Sequence, residues 1–375
     1  MNTLSRLLRG LGRRSLPTLL FGLAAGPLQA GSTPAVHLIR AGDLLGLVDA
    51  AGKVIVPPEF EELKLGDPLI LVRKAYRTAY LDYQGNMAIP PQDALSQPFA
   101  EGLTPAMLRD AQGKLKYGYV DAQRNTVIEP AFNHAEGFVD GLAVAGLEDA
   151  WGALKYGAID RTGKWVVPAA YDKVLPHSGG VVRVQNKDQP SRIFNREGRD
   201  VTPAGVDFIG IQSEGMVRIW TGRKQGFMSV AGEVVLAPAY DQAGDFKDGM
   251  ARVWRDGKYG FVDKTGRLAV PASFDSAEDF SDGLALVKLD GQAQYIDKQG
   301  RVALRPEAER AYPFSEGLAV VKRGGKYGYM DKTGKMVIEA KFNFARPFEN
   351  GLGYVGLGKV TGYIRPDGGF AWSSP

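Results

Sequence analysis

Residues 258–271 read KYGFVDKTGRLAVP, and close copies of this stretch recur along the chain, beginning at Lys116, Lys155, Lys224 and Lys326. When the copies are aligned on Gly260, the equivalent positions are Gly46, Ala79, Gly118, Gly157, Arg192, Gly226, Gln294, Gly328 and Gly362. Neighbouring anchors are 33 to 39 residues apart. Ten copies at such regular spacing predict one continuous array of about ten units of roughly 34 residues.

Each unit contains three short runs rich in Val, Ile, Leu and Tyr, separated by turn residues. In the unit of Gly260 the second run is followed by Asp263 and Gly266, and the third run ends at Pro271. Asp caps its own turn, Gly supplies a positive φ, and Pro ends a strand because it has no N–H to donate. The pattern predicts a three-stranded antiparallel meander and excludes the helical repeats of similar length.

A loop joins each meander to the next and carries recurrent apolar residues, such as Phe274, Ala277 and Phe280. One unit is too small to bury a core alone, so we expect these residues to pack between neighbouring units. The prediction is an all-β array that forms either an open solenoid or a propeller-like ring. Its first two copies and its last one are the most diverged, and the last copy either caps the array or completes a ring.

The Lys-Tyr-Gly-Phe/Tyr-Val/Met-Asp-Lys-Thr-Gly block resembles the WG repeat, also called the KWG repeat, of bacterial proteins. The resemblance extends from about residue 36 to residue 372. The Trp that precedes Gly in the family is Tyr at 117, 156, 259 and 327 and Gln at 225. This departure suggests that the position serves packing and not reactivity. The resemblance implies a β-rich repeat protein and no particular activity.

The first 30 residues are typical of a secretory signal peptide. Arg6, Arg9, Arg13 and Arg14 precede the apolar run 16–25, and Ala30 gives a small residue at the expected cleavage point. We therefore expect residues 31–375 to form the mature array in the periplasm or outside the cell. The general secretory route fits better than the twin-arginine route, although Arg13 and Arg14 leave the latter open.

The charge balance excludes a strongly basic nucleic-acid-binding protein. The chain has 46 Lys and Arg against 42 Asp and Glu, and the four Arg of the signal segment account for the whole excess. No later stretch is long and apolar enough for a transmembrane helix. We expect neither nucleic acid nor a membrane-spanning segment in the mature protein.

The residue census argues against common catalytic and metal sites. The chain has no Cys and three His, and the His residues stand at unrelated positions of the repeat. Thiolate zinc sites and Cys nucleophiles are excluded, and no paired spacing suggests another transition-metal site. The expectation is a protein without a cofactor, a metal or catalytic residues, and not an enzyme.

One asymmetric feature stands out against the repeat. Arg218 and Trp220 alternate with apolar residues in one copy, and Arg252 and Trp254 do so in the next. In the two copies after that, the Trp position is occupied by Lys288 and Lys322. Alternate residues of a strand share a face, so these six residues are predicted to form a column across adjacent units, here called the Arg–Trp column. The column either binds a partner or covers the edge of a neighbouring unit.

These features favour a non-catalytic scaffold of the bacterial envelope that binds an unidentified protein or peptide, because repeat arrays present extended recognition surfaces. The alternative is a glycan- or cell-wall-binding protein, whose aromatic side chains would stack on sugar rings. A hydrolase is a third hypothesis, and no motif in the chain supports it.

Overall fold

The computed structural model describes residues 34–92, 95–177 and 179–374. Within these ranges the regular elements are all β-strands, and they form ten small antiparallel sheets. The sheets are the blades of a closed ring, a ten-bladed β-propeller. The predicted signal segment, residues 1–30, lies outside the described residues. The described part of the chain contains no helix with the length and hydrophobicity of a membrane span.

The blades are numbered here in chain order. The first five comprise β1 (Val36–Ala41), β2 (Leu44–Asp49) and β3 (Val54–Phe60) in blade 1; β4 (Glu62–Lys64), β5 (Ile70–Lys74), β6 (Arg77–Leu81) and β7 (Met87–Gln92) in blade 2; β8 (Leu103–Arg109), β9 (Leu115–Asp121) and β10 (Thr126–Phe132) in blade 3; β11 (His134–Ala135), β12 (Leu142–Glu148), β13 (Leu154–Asp160) and β14 (Trp165–Tyr171) in blade 4; and β15 (Lys173–His177), β16 (Val181–Gln185) and β17 (Arg192–Phe194) in blade 5.

The remaining five comprise β18 (Phe208–Ser213), β19 (Met216–Thr221), β20 (Lys224–Ser229) and β21 (Val234–Tyr240) in blade 6; β22 (Gln242–Lys247), β23 (Met250–Arg255), β24 (Lys258–Asp263) and β25 (Leu268–Phe274) in blade 7; β26 (Ser276–Ala277), β27 (Ala285–Leu289), β28 (Gln292–Ile296) and β29 (Val302–Leu304) in blade 8; β30 (Arg310–Ser315), β31 (Leu318–Arg323), β32 (Lys326–Asp331) and β33 (Met336–Phe342) in blade 9; and β34 (Phe344–Glu349), β35 (Leu352–Leu357), β36 (Val360–Ile364) and β37 (Phe370–Ser373) in blade 10.

The predicted meander is present in nine of the described blades, and in most blades a further strand precedes it. In blade 5 an isolated bridge between Phe194 and Asp200 takes the place of the third strand. Among the described sheets seven have four strands and three have three. The extra strand comes from the segment that the sequence suggested to be a loop, as in β22. The reason is that the outer edge of β23 has backbone groups without partners in the meander. The Trp254 carbonyl of β23 accepts a hydrogen bond from the Asp241 N–H at 3.1 Å, and β22 then pairs with the rest of this edge.

The anchor glycine of the repeat lies where two strands approach closely. Gly260 is in β24, and a Cβ at this position would lie 2.6 Å from the Val270 carbonyl oxygen and 2.7 Å from the Ala272 nitrogen. The register of β24 with β25 shifts at this point, which brings the backbone of β25 over Gly260. Gly46, Gly118, Gly157, Gly226, Gly328 and Gly362 meet the backbone of the following strand in the same way. Close approach therefore explains why glycine recurs in the motif.

The aspartate of each Asp-x-x-Gly turn holds the turn that joins two strands of a blade. The Asp331 carboxylate accepts hydrogen bonds from the Thr333 N–H at 2.8 Å, the Thr333 hydroxyl at 2.6 Å and the Lys335 N–H at 3.1 Å. The hydroxyl of Thr333 is the main reason that the pKa of Asp331 lies below its ordinary value. Burial alone would raise the pKa of Asp263, but hydrogen bonds from Thr265 and Arg267 outweigh it and lower that pKa.

These turns predict how the stability of the propeller depends on pH. A carboxyl group whose pKa is depressed in the folded state contributes stability above its unfolded pKa, about 4, and loses it as the pH falls through the folded value. We expect a constant melting temperature between about pH 5 and pH 7 and a steep fall below about pH 4. Asp331→Asn should melt lower at neutral pH and decline less in acid. A melting temperature unchanged down to about pH 3 would contradict this account.

Ring pairs between neighbouring blades form the core. Phe280, which lies between β26 and β27 and is 1% exposed, meets the ring of Phe261 in blade 7 edge-on, with centroids 4.7 Å apart. Equivalent pairs join Tyr80 to Phe99, Tyr119 to Phe138, Phe227 to Phe246, Tyr295 to Phe314 and Tyr329 to Phe348. The prediction that the second aromatic of the linking segment packs between units is confirmed.

Acidic turn residues add a polar contact between blades. The Glu214 carboxylate of blade 6 accepts hydrogen bonds from the N–H groups of Asp248 and Gly249 in blade 7, at 2.7 and 2.9 Å, and lies 3.0 Å from the Lys264 ammonium. Asp248 in turn accepts from the Gly283 N–H of blade 8 and pairs with Lys298 at 2.8 Å. In these pairs one blade holds the turn of the next, a contact that local sequence patterns do not predict.

Contacts between blades 10 and 1 settle the alternative of an open or a closed array. The Tyr363 hydroxyl donates to the Leu38 carbonyl at 2.9 Å, and the rings of Tyr363 and His37 have centroids 4.9 Å apart. Arg365 donates to the Ala51 carbonyl at 2.8 Å. The described strands of the two blades do not pair, so side chains close the ring.

Candidate functional site

The Arg–Trp column runs through four successive blades, at the Trp position in all four and also at the Arg position in blades 6 and 7. Arg218 and Trp220 lie in β19, and Arg252 and Trp254 lie in β23. Lys288 in β27 and Lys322 in β31 pair across their hairpins as Trp254 does, with Ala293 and Tyr327. The equivalence that the sequence predicted is therefore present in the structure.

The two arginines reach from one blade to the next. Arg218 donates from Nη1 to the Ala243 carbonyl at 2.6 Å, and its Nη2 lies 3.1 Å from Asp245 Oδ1. Arg252 repeats this arrangement one blade later, with the Ala277 carbonyl as acceptor and Asp279 Oδ1 at 3.7 Å from its Nε. Their side chains are 23% and 31% exposed. Both guanidinium groups therefore bind the neighbouring blade while keeping part of their surface open.

The two tryptophans have different surroundings. Trp220 packs edge-on against Phe208 of its own blade, with centroids 5.0 Å apart, and the Arg218 guanidinium lies 5.1 Å from its ring centre. Gly210 leaves room for this ring, since a Cβ there would come within 2.9 Å of it. Trp254 instead lines a cavity. Both rings are half buried, but Trp220 packs within its own blade, whereas Trp254 borders the open space of the cavity.

The cavity lies between blades 6 and 7 and has a volume of about 230 Å³. Its lining includes Arg218, Arg252, Gln242, Trp254 and Tyr259. Within the described residues, Arg218 Nε and Asp279 Oδ1 are buried without a hydrogen-bond partner. The site therefore combines two aromatic walls with guanidinium donors and a nearby carboxylate, and its charges balance as Arg–Asp pairs.

The lysines of the column do not join this cavity. Lys288 is exposed and lines a separate cavity of about 220 Å³ with Arg310 and Tyr312. The Lys322 ammonium lies 5.9 Å from the ring centre of Tyr327 and 4.0 Å from Glu309. The structure brings together Arg218, Arg252 and Trp254, and it separates Lys288 and Lys322 from them.

Two aromatic side chains that the sequence analysis did not single out are almost completely exposed. Tyr76 is 94% exposed in the turn between β5 and β6, and Trp151 is 92% exposed in the turn between β12 and β13. The one available signal was position: both lie in turns outside the apolar runs of the repeat. Among residues 34–92, 95–177 and 179–374, no three Asp, Glu or His side chains are grouped as they would be around a metal ion.

Comparison with protein families identifies the repeat. The model described as "WG containing repeat" matches residues 46–73, 117–151, 156–189, 226–259, 259–292, 295–327 and 327–359, more than half of the chain. This chain belongs to the WG-repeat family. A comparison with curated proteins finds no significant match.

Solved structures resemble this WG-repeat propeller only remotely. Puromycin hydrolase is 15% identical over 60% of this chain and 50% of its own, with a TM-score of 0.28. The extracellular domain of the putative hybrid two-component system BT3049 from B. thetaiotaomicron is 14% identical over 91% of this chain and 57% of its own, with a TM-score of 0.25. Kluyveromyces lactis Hsv2p is 11% identical over 61% and 90%, with a TM-score of 0.36. The chain thus spans about half the length of the first two, and TM-scores this low carry no argument about its function.

Proposed function

We propose that this WG-repeat propeller is a non-catalytic scaffold of the bacterial envelope that binds a protein or peptide at the cavity between blades 6 and 7. The observation that carries the proposal is the convergence of Arg218, Arg252, Trp254 and Tyr259 on one cavity. Arg, Trp and Tyr are the residue types most enriched among binding hot spots, because they bury large areas and still offer donors. The signal-peptide pattern of residues 1–30 supports the envelope location.

The size and polarity of the cavity indicate what it would accept. A volume of about 230 Å³ lies below the usual range of about 300–1,000 Å³ for small-molecule sites. One side chain of an extended partner fits such a space better than a whole cofactor. Arg218 lines the cavity and its Nε has no hydrogen-bond partner, so a side chain that carries an acceptor, such as an amide, would complement this wall.

The same cavity supports a second candidate, the binding of a glycan. Aromatic walls beside Arg–Asp pairs offer a stacking face together with donors and acceptors for sugar hydroxyl groups. One sugar ring has about the size of the side chain considered above. The hydrolase hypothesis has no comparable support, since a hydrolase needs a positioned nucleophile or acid–base pair.

The two tryptophans give a matched test of this site. Trp254→Ala should leave the fold intact, because one face of the ring borders the open cavity, and should weaken partner binding by about 2 kcal/mol or more. Trp220→Ala should lower stability through lost contacts with Phe208 and change binding little. A pull-down from envelope extract, run beside a glycan array and thermal melts, measures all three properties.

Each outcome of this test has a definite meaning. Protein capture by the wild type and by Trp220→Ala, but not by Trp254→Ala, supports the protein or peptide site. Glycan binding with the same dependence on Trp254 replaces the first candidate by the second. Binding that does not respond to Trp254→Ala places the recognition surface elsewhere on the ring and overturns the proposed site.

A further inference from the structure

The turn between β5 and β6 holds a tyrosine in a conformation that favours glycine. Ala75 and Tyr76 have φ values of 50° and 63°, and Lys74 pairs with Arg77 on either side of them. Equivalent turns use glycine, as Gly257, Gly291 and Gly325 show. A side chain in this region costs free energy, and Tyr76, being 94% exposed, recovers little of it through packing. A strained and exposed aromatic residue points to a role outside the fold.

Trp151 is likewise not required by its own turn. The turn 149–153 has the same geometry as the turn 110–114 of the preceding blade: Asp149 Oδ1 accepts from the N–H groups of Trp151 and Ala153, both at 2.9 Å. Asp110 Oδ1 accepts from Gln112 and Lys114 at 2.9 and 2.8 Å. Gln112 stands where Trp151 stands, so the turn forms without tryptophan.

These turns lie together on one face of the propeller. Each joins the equivalent pair of strands in blades 2, 3 and 4, and equivalent turns of a propeller emerge on the same side. Between Tyr76 and Trp151 the hairpin of blade 3 exposes two further apolar side chains, Leu115 at 57% and Met107 at 37%. We call Tyr76, Met107, Leu115 and Trp151 the hairpin-tip surface.

Basic residues flank this surface on blades 2 and 3. Residues 73–77 and 107–116 contain Arg73, Lys74, Arg77, Arg109, Lys114 and Lys116, and Asp110 is their one acidic residue. Arg73 and Lys74 pair with Glu62 and Glu59. Within the described part of the chain, the other four form no ion pair with a carboxylate. The third hairpin, residues 147–155, is slightly acidic, with Glu148 and Asp149 against Lys155. The positive charge is therefore concentrated around Tyr76 and Leu115.

We propose that the hairpin-tip surface docks the propeller on an anionic lipid bilayer. Tyr and Trp favour the boundary between lipid headgroups and acyl chains, where a ring sits in apolar surroundings and its polar atom stays hydrated. Nearby Lys and Arg side chains attract anionic headgroups. Tyr76 and Trp151 lie on turns of separate blades, and each side chain could enter a fluid bilayer without a preformed pocket. This proposal rests on residues of blades 2 to 4 and uses none of the residues that line the cavity between blades 6 and 7.

Vesicle co-sedimentation of the full chain tests the proposal. Vesicles of phosphatidylcholine with about 30% phosphatidylglycerol should bind the wild type, and vesicles of phosphatidylcholine alone should bind it at least tenfold more weakly. Trp151→Gln, which copies the turn of blade 3, should reduce binding about tenfold. Gln112→Trp, the reciprocal change, should increase it. Vesicles should also shift the tryptophan fluorescence of the wild type to the blue, but not that of Trp151→Gln.

Tyr76→Gly separates the proposed role from a role in stability. It should raise the melting temperature by about 2 °C, because the strained turn is relieved, and still reduce vesicle binding. Loss of binding together with unchanged or higher stability supports the proposal. Three outcomes would each overturn the proposal. The first is no binding to vesicles, and the second is binding that does not change in the Tyr76, Gln112 and Trp151 variants. The third is capture of a protein through these residues by a propeller that does not bind vesicles.

Discussion

Gly260→Ala should destabilise the propeller by about 3 kcal/mol, among the largest effects of any single methyl group in this chain. The added Cβ would lie 2.6 Å from the Val270 carbonyl oxygen and 2.7 Å from the Ala272 nitrogen. Both atoms belong to the backbone of β25, which cannot rotate away as a side chain can. The strand must therefore move, and its pairing with β24 is lost where the register already shifts.

A second glycine of the same blade is the control. Gly257 has a φ of 80°, and a Cβ at this position would meet no atom within 4 Å. Gly257→Ala therefore tests backbone strain without a clash and should cost about 1 kcal/mol. Chemical denaturation of both variants gives the comparison. Equal losses of stability would contradict this account, because the close approach of β25 to Gly260 would then add no cost beyond the strain at an ordinary turn glycine.

Phe280→Ala should cost about 3–5 kcal/mol, the usual result of removing a buried aromatic ring. Phe280 is 1% exposed and packs against Phe261 of the preceding blade at 4.7 Å. The vacated space lies between two blades, so the loss weakens their interface as well as the core of blade 8. Because native proteins have only about 5–15 kcal/mol of total stability, this one change should lower the melting temperature markedly.

Phe370→Ala is the matched control for this change. Phe370 lies in β37 and is 36% exposed, so its truncation should cost about 1 kcal/mol. Differential scanning calorimetry of the two variants should also show whether blades melt together. A small effect of Phe280→Ala would mean that the blades stand independently, contrary to the collective stability expected of a repeat array.

The candidate sites show how far local patterns reach. Alternation along a strand and the repeat period together placed Arg218 and Arg252 in one column. The carbonyl groups that bind them belong to Ala243 and Ala277, which lie 25 residues later in the chain. No local pattern predicts such a contact. The sequence alone therefore could not decide whether the Arg–Trp column packs against a neighbouring blade or binds a partner. Trp220 and Trp254 also had identical sequence patterns and differ only in what surrounds them.

The hairpin-tip surface illustrates a second limit. In the sequence, Tyr76 and Trp151 are two of many aromatic residues, and a repeat protein buries most of its rings between units. They are exposed because the turns that carry them, in blades 2 and 4, lie at the surface of the propeller and not between blades. The strain at Tyr76 is visible only in its φ of 63°. Turn propensities describe which residues are usual at a turn position, and they do not predict an unusual one such as Tyr76.

The sequence by itself determined the repeat, the strand meander and the turns, because glycine, proline and aspartate act on the backbone within a few residues of themselves. The tertiary structure alone decided that the array is closed. Closure depends on the rotation accumulated over ten blades and on contacts such as that of Leu38 with Tyr363, which are 325 residues apart. The tertiary structure also decided that the linking segment forms a strand, because the open edge of the following hairpin needs hydrogen-bond partners that only the assembled blade supplies.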